Sequence, residues 1–178
     1  MSFAHRSRRP GRNFVPAMAS YTPTLSTPPL AESLAQLRQQ IDLLTQHWNI
    51  LTDAELAERP GPGRWSRKET LGHLVDSATN NYRRIVLASL APPPHQLHPY
   101  DQEGWVRVAN YQHYPAADLL LLWRSQNQLI LHVLRGLPHH LLDNEYLTIN
   151  GNPTTLHWLI SDYALHLEHH VQQIINFE

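Results

Sequence analysis

Residues 156–175 read LHWLISDYALHLEHHVQQII, with apolar positions at Leu156, Leu159, Ile160, Tyr163, Leu167, Val171 and Ile174. They recur every three or four residues, the period of a helix with one face turned to a core. A helix is expected here, starting near Thr154 or Thr155 and running to about Ile175. Just before it, Asn150-Gly151 offers a tight turn flanked by residues 146–149, a short hairpin-like excursion.

The same period recurs along the rest of the chain. Leu30, Leu34, Leu37, Ile41, Leu44 and Trp48 mark a first helix. Thr52 and Glu55 form a capping box for a short helical turn, which the prolines and glycines of residues 60–63 end. Ser66 and Glu69 form a second box, opening a helix with Leu71, Leu74, Val75, Ala78, Tyr82 and Ile85 on its apolar side. Pro92-Pro93-Pro94 must stop it. Residues 91–114 read as a long connection with one short turn near Asp101 to Val108, and long connections in compact domains are often functional. A further helix is expected from about Ala116 to Leu134, with Leu119, Leu122, Trp123, Leu129, Ile130 and Val133 inward and Gly136 as its stop. Four long amphipathic segments without a convincing sheet predict an all-α fold, a four-helix bundle with sites built by inward-facing side chains.

The chain has 178 residues, enough for one domain with a single buried core. That domain is expected over residues 30–178, preceded by a disordered tail over residues 1–29. The tail mixes Arg, Pro, Ser and Thr without periodicity and lacks the apolar stretch of a secretory signal. Met18 opens a more polar stretch and is an alternative start. Arg6, Arg8, Arg9 and Arg12 lie in the tail with no acid. The remainder holds ten Lys and Arg against fifteen Asp and Glu, a balance that gives no electrostatic reason to expect nucleic acid. No apolar run is long enough for a membrane span. The absence of cysteine excludes disulfides, Cys-ligated zinc and a cysteine nucleophile, and fits a reducing, cytoplasmic location.

Histidine is abundant, thirteen in all, and for any single one a surface or structural role is the ordinary reading. Spacing changes that for His166-Leu167-Glu168-His169-His170, because residues four apart on a helix stand one turn above another. At roughly 100° per residue His170 falls on the margin of the apolar stripe, His166 on the same flank, and His169 toward solvent. The ligand pair is therefore His166 and His170. Asp162, four residues before His166, could accept the free ring N–H of a ligand or simply be a solvated surface acid. Two imidazoles make a weak site, so a third ligand is needed. On the wheel His73 falls beside Thr70, Ser77 and Asn80, off the apolar face, which by itself favours a surface histidine.

The run Arg64-Trp65-Ser66-Arg67-Lys68-Glu69-Thr70-Leu71-Gly72-His73-Leu74-Val75-Asp76-Ser77 resembles the DinB-like signature, a Trp-Ser helix start followed by His and Leu. Asn80, Tyr82, Arg84, Pro99-Tyr100-Asp101 and Trp105 are similar to the YfiT-type branch of that family, as is the H-x-x-H-H ending. Leu165 departs from it, standing where an aromatic often precedes the first of these histidines. The resemblance implies His73 as the first metal ligand, with His166 and His170 completing the set. It also overrides the wheel for His73, since a helix in a bundle touches two neighbours and buries a wider arc.

Three neutral histidines leave an open coordination position, the arrangement of a catalytic zinc site, with nickel as second choice. The resemblance implies one divalent ion per chain and either of two activities: thiol-dependent S-transfer to small electrophiles, or hydrolysis by a metal-bound hydroxide. Any reacting thiolate must come from a low-molecular-weight thiol, since the chain has no cysteine. Asn80, Tyr82, Arg84 and Asp101 are candidates for orienting a small-molecule substrate. Tyr82 on the apolar face reads equally as core, and Arg84 could bind a carboxylate or pair with a surface acid. A non-catalytic, metal-stabilised binding module is the competing class, and a homodimer is compatible with either.

Overall fold

The computed structural model describes residues 27–177. The basic segment through residue 26 and the alternative start at Met18 lie outside the described residues. Pro28 and Pro29, assigned above to the tail, contact the body: the Pro28 carbonyl accepts from His157 Nε2 at 2.8 Å, and Pro29 N-caps the first helix.

The helices are α1 (Leu30–Trp48), α2 (Asp53–Ala57), α3 (Arg67–Leu90), α4 (Gln102–Ala109), α5 (Ala116–Arg135) and α6 (Leu156–Asn176). Both capping boxes form: Thr52 and Ser66 each accept from the backbone N–H three residues on, and Glu55 and Glu69 reach back. Thr155 N-caps α6. Asp101 N-caps α4, its carboxylate accepting from Gly104 N at 2.9 Å.

Each long helix packs mainly on two others: α1 on α5 and α6, α3 on α5 and α6. Helices α1 and α6 run parallel, since Ser33 meets Ser161 and Gln36 donates to Glu168. Helix α3 opposes α6, with Arg67 reaching the Ile174 carbonyl and Ser77 facing His166. Helix α5 opposes α1, because Trp48 at the end of α1 donates to the Ala116 carbonyl at the start of α5. It follows that α3 and α5 are parallel neighbours. Their connection must travel back along the bundle, and this is why residues 91–114 are long. On the way they form the short strand β1 (His95–Gln96), α4 and a 3₁₀ turn over Tyr111–His113.

The bundle carries a small sheet that sequence periodicity does not reveal. The hairpin around Gly151, whose φ of +77° suits glycine, joins β2 (Glu145–Leu147) to β3 (Pro153–Thr155), and β1 adds to β2 in parallel. Strands of two or three residues are too short to show an alternating pattern.

Two inward assignments on α5 change. Leu122 and Leu129 are exposed, while Leu120, Leu131 and Leu134 are buried with Trp123 and Ile130. The run Leu119-Leu120-Leu121-Leu122 is apolar around the whole helix, so its period is ambiguous.

Gly72 lies in the α3 face that meets the 3₁₀ turn, and a Cβ there would overlap the Tyr111 ring down to its own Cβ. Tyr111 is buried and donates to Asp76 at 2.7 Å, so it has little room to move. Gly72→Ala is expected to cost about 1 to 3 kcal/mol. The thermal midpoint should fall by roughly 2 to 4 °C per kcal/mol, and an unchanged midpoint would show the contact to be soft.

Candidate metal centre

Helix α3 is amphipathic on paper but is covered on most sides. Every residue in 68–78 is buried, because α2, α4, α5, α6 and the 3₁₀ turn all pack on it. This encloses its polar flank and places His73, only 1% exposed, against the C-terminal half of α6. Trp65, just before the capping box, packs its ring 5.3 Å from the His73 ring.

Opposite, His166 and His170 project from α6 one turn apart, their ring centroids separated by 4.6 Å. His73 Nε2 lies 3.3 Å from His166 Nε2, and ring nitrogens of His73, His166 and His170 all fall within 4.8 Å of one another. His169 is exposed; its ring touches that of His170 but is not part of the cluster.

Electrostatics keep these rings neutral. Burial, then the neighbouring His170, pushes the His73 imidazolium down to about 3. Burial, then the surrounding histidines, holds His166 well below its usual range, and burial takes His170 down to about 4. Neutral rings keep a lone pair for a ligand bond at ordinary pH.

The donor set fits a divalent ion. Nitrogens bound to one tetrahedral zinc at ~2.0–2.1 Å stand about 3.4 Å apart, close to the His73–His166 separation. Three imidazoles with no thiolate or carboxylate suit zinc or nickel and leave a coordination position open.

Around the rings, His170 Nδ1 meets Gln173 Oε1 at 2.9 Å, and His166 Nδ1 meets Ser77 Oγ at 3.5 Å. Ser77 is in turn held by Asn81, whose Nδ2 donates to its carbonyl and hydroxyl, and Arg84 donates to Asn81 Oδ1 at 3.3 Å. A line of side chains on α3 thus joins Arg84 to His166.

Asp162, considered above as partner to His166, is exposed, and Ser77 takes that place. Arg84 is half-buried; its second nitrogen donates to the His98 carbonyl at 3.2 Å and its own carbonyl accepts from Tyr146. The other orienting candidates are engaged elsewhere. Asn80 donates to the Asp76 carbonyl, Tyr82 packs against the core, and the Asp101 carboxylate caps α4.

Ser77, Asn81, Gln173 and Asp76 were not singled out from sequence. The first two were detectable, because His73, Ser77, Asn81 and Arg84 lie four, four and three apart, on one flank of a helix. Asp76 is buried, with one oxygen accepting from Tyr111 and the other without a hydrogen-bond partner among the described residues, and burial raises its pKa.

The family model for the DinB superfamily matches residues 36–174. This chain belongs to the DinB superfamily. Within it, the chain is 28% identical over 144 residues to a Bacillus pumilus protein named as a candidate metal-dependent hydrolase, covering 80% of this chain and 79% of that one. It is 25% identical over 151 residues to YfiT of Bacillus subtilis, another candidate metal-dependent hydrolase, covering 82% and 78% of the two chains. The solved structure of YfiT, described as an unusual four-helix bundle topology, superposes with a TM-score of 0.76 over 88% of this chain and 89% of that one, at 22% identity. A mycothiol-dependent maleylpyruvate isomerase superposes with a TM-score of 0.66 at 18% identity, over 84% of this chain and 63% of the isomerase. At these identities the superpositions establish the DinB fold. The metal-dependent relatives and the three-histidine cluster together support binding of a divalent metal. Among the described residues no helix is long and apolar enough to cross a membrane.

Proposed function

We propose that this protein is a metal-dependent enzyme whose ion is held by His73, His166 and His170, and that it transfers a low-molecular-weight thiol to small electrophiles. The observation that carries the reading is the convergence of three neutral, largely enclosed imidazoles with no fourth protein ligand in the cluster among the described residues. Zinc is the first choice and nickel the second. When bound, such an ion supplies Lewis acidity that makes a thiol or a water in the open position ionise near neutral pH. The protein's own residues supply the rest. His73 and α6 fix the donor geometry, Trp65 covers one side of His73, and Arg84 presents guanidinium donors along the flank leading to His166.

Thiol transfer is preferred because a structural neighbour of the same fold is a mycothiol-dependent enzyme; with no cysteine in the chain, the reacting thiol would come from a cosubstrate. Hydrolysis is the second reading, favoured by the names of the Bacillus relatives. The separating experiment pairs two assays on metal-loaded protein: conjugation of 2-mercaptoethanol to monochlorobimane, and cleavage of p-nitrophenyl acetate without thiol. Conjugation above the metal-free rate is expected. Thiol-independent hydrolysis alone would transfer the assignment to hydrolase, and neither activity at full metal content would favour a binding module.

Arg84 is proposed to orient the carboxylate of a substrate that has one. Losing a hydrogen bond to a charged group costs about 1.5 to 3 kcal/mol, so Arg84→Ala should raise KM for carboxylate-bearing electrophiles by roughly 10- to 100-fold. KM for neutral electrophiles should hardly move, and an equal rise for both would remove Arg84 from substrate binding.

A further inference from the structure

Which nitrogen of a neutral histidine can bind a metal is decided by what the other nitrogen touches. The three rings differ in this respect. His73 Nδ1 is buried without a hydrogen-bond partner among the described residues, and His166 Nδ1 has the long 3.5 Å contact to Ser77. His170 has the short one, Nδ1 to Gln173 Oε1 at 2.9 Å.

An amide oxygen only accepts, so a ring nitrogen that bonds to it must carry the proton. The remaining nitrogen, Nε2, then keeps its lone pair. In water a free neutral imidazole prefers the opposite tautomer, with the proton on Nε2, where it would block a bond to an ion. Gln173 lies three residues beyond His170 on the same helix, so the bond is made within one turn and is in place before any metal arrives. Its side chain borders an open surface hollow with Arg64, His169 and Gln172, and can be shortened without cutting into the core.

We infer that Gln173 is a positioning residue of the metal centre, holding His170 in the Nδ1–H tautomer so that Nε2 is the free donor. The inference rests on the metal-centre reading above, yet it makes a separate statement about the protein without metal.

The test uses the full chain as wild type, Gln173→Ala, Gln173→Glu and Gln172→Ala, with two readouts. The first is the tautomer of His170 in metal-free protein at neutral pH, read from long-range proton–nitrogen couplings in histidine-labelled samples. The second is zinc affinity by competition with a chelator. Wild type is expected to show His170 as the Nδ1–H form, and Gln173→Ala to drift toward the Nε2–H form with zinc bound about 10- to 100-fold more weakly. Gln173→Glu restores an acceptor and should recover both the tautomer and the affinity, and exposed Gln172→Ala should match wild type. Wild-type affinity and tautomer in Gln173→Ala would overturn the inference, as would an equal loss in Gln172→Ala. Failure of wild type to take up zinc would sink the metal reading instead. The metal-free spectra would still decide for Gln173, and an Nε2–H form of His170 in wild type would refute it.

Discussion

Replacing His166 or His170 with alanine is expected to strip the protein of its metal, whereas His169→Ala should leave it loaded. All three sit within five residues of one helix, so composition and local charge barely distinguish them. Geometry does. His166 and His170 stand one turn apart on the flank facing α3, with ring nitrogens in the same cluster as His73, while the His169 ring is turned to solvent. Removing either of the first two leaves two imidazoles, too few for a zinc-type site, and metal per chain should fall from about one to near zero. His169 is exposed and lies outside the cluster, its ring packing against that of His170, so its loss should alter affinity by no more than a few-fold. The measurement is elemental analysis of protein purified without a histidine tag and dialysed against a weak chelator. Equal loss of metal in His169→Ala would overturn the ligand assignment.

The second large effect is on turnover. His73→Ala should abolish the ion's contribution to catalysis, a loss of at least about 10²-fold if Lewis acidity supplies several kcal/mol, while the bundle stays folded. The folding half of this expectation follows from the core. Trp123, Tyr163, Leu44, Leu119 and Leu134 are buried in an apolar core to which all four long helices contribute through the α1–α5, α1–α6, α3–α5 and α3–α6 packing. A site whose role was structural would give the opposite result, with metal removal or His73→Ala melting the domain. Circular dichroism on the apo protein and on the variant, alongside the conjugation rate, separates the two. The rate of the loaded wild type should climb with pH and level off once the thiol is ionised, since the thiolate is the attacking species. A His73→Ala protein that is metal-free, folded and fully active would end the metal-enzyme reading.

Local features of this chain were legible because their causes are local. The capping boxes at Thr52/Glu55 and Ser66/Glu69 close within one turn, the Thr155 cap lies at the start of the last apolar stripe, and Gly151 adopts the positive φ that its turn needs. The stripe on α6 also separated His169 from its neighbours, because solvent exposure on a helix repeats at 3.6 residues.

Features that depend on neighbours were not legible in the same way. His73 looked peripheral on its own helix, yet it is almost fully buried, because α6 and the α4 region cover the polar flank of α3. Periodicity records how one helix divides between core and surface, but it carries no information about a second neighbour. Leu122 and Leu129 were misplaced for a related reason: an apolar residue costs little at the surface, so a leucine-rich helix does not announce its register.

The sequence by itself determined where the helices begin and end, and which histidines of the last one share a flank, since caps and stripes are properties of neighbouring residues. Tertiary structure decided that α1 pairs with α5 and α6 instead of α3, that α3 and α5 run parallel, and that Ser77 of α3 meets the His166 ring. Those outcomes depend on which buried surfaces pack together across the chain, and packing is set by the whole set of helices at once.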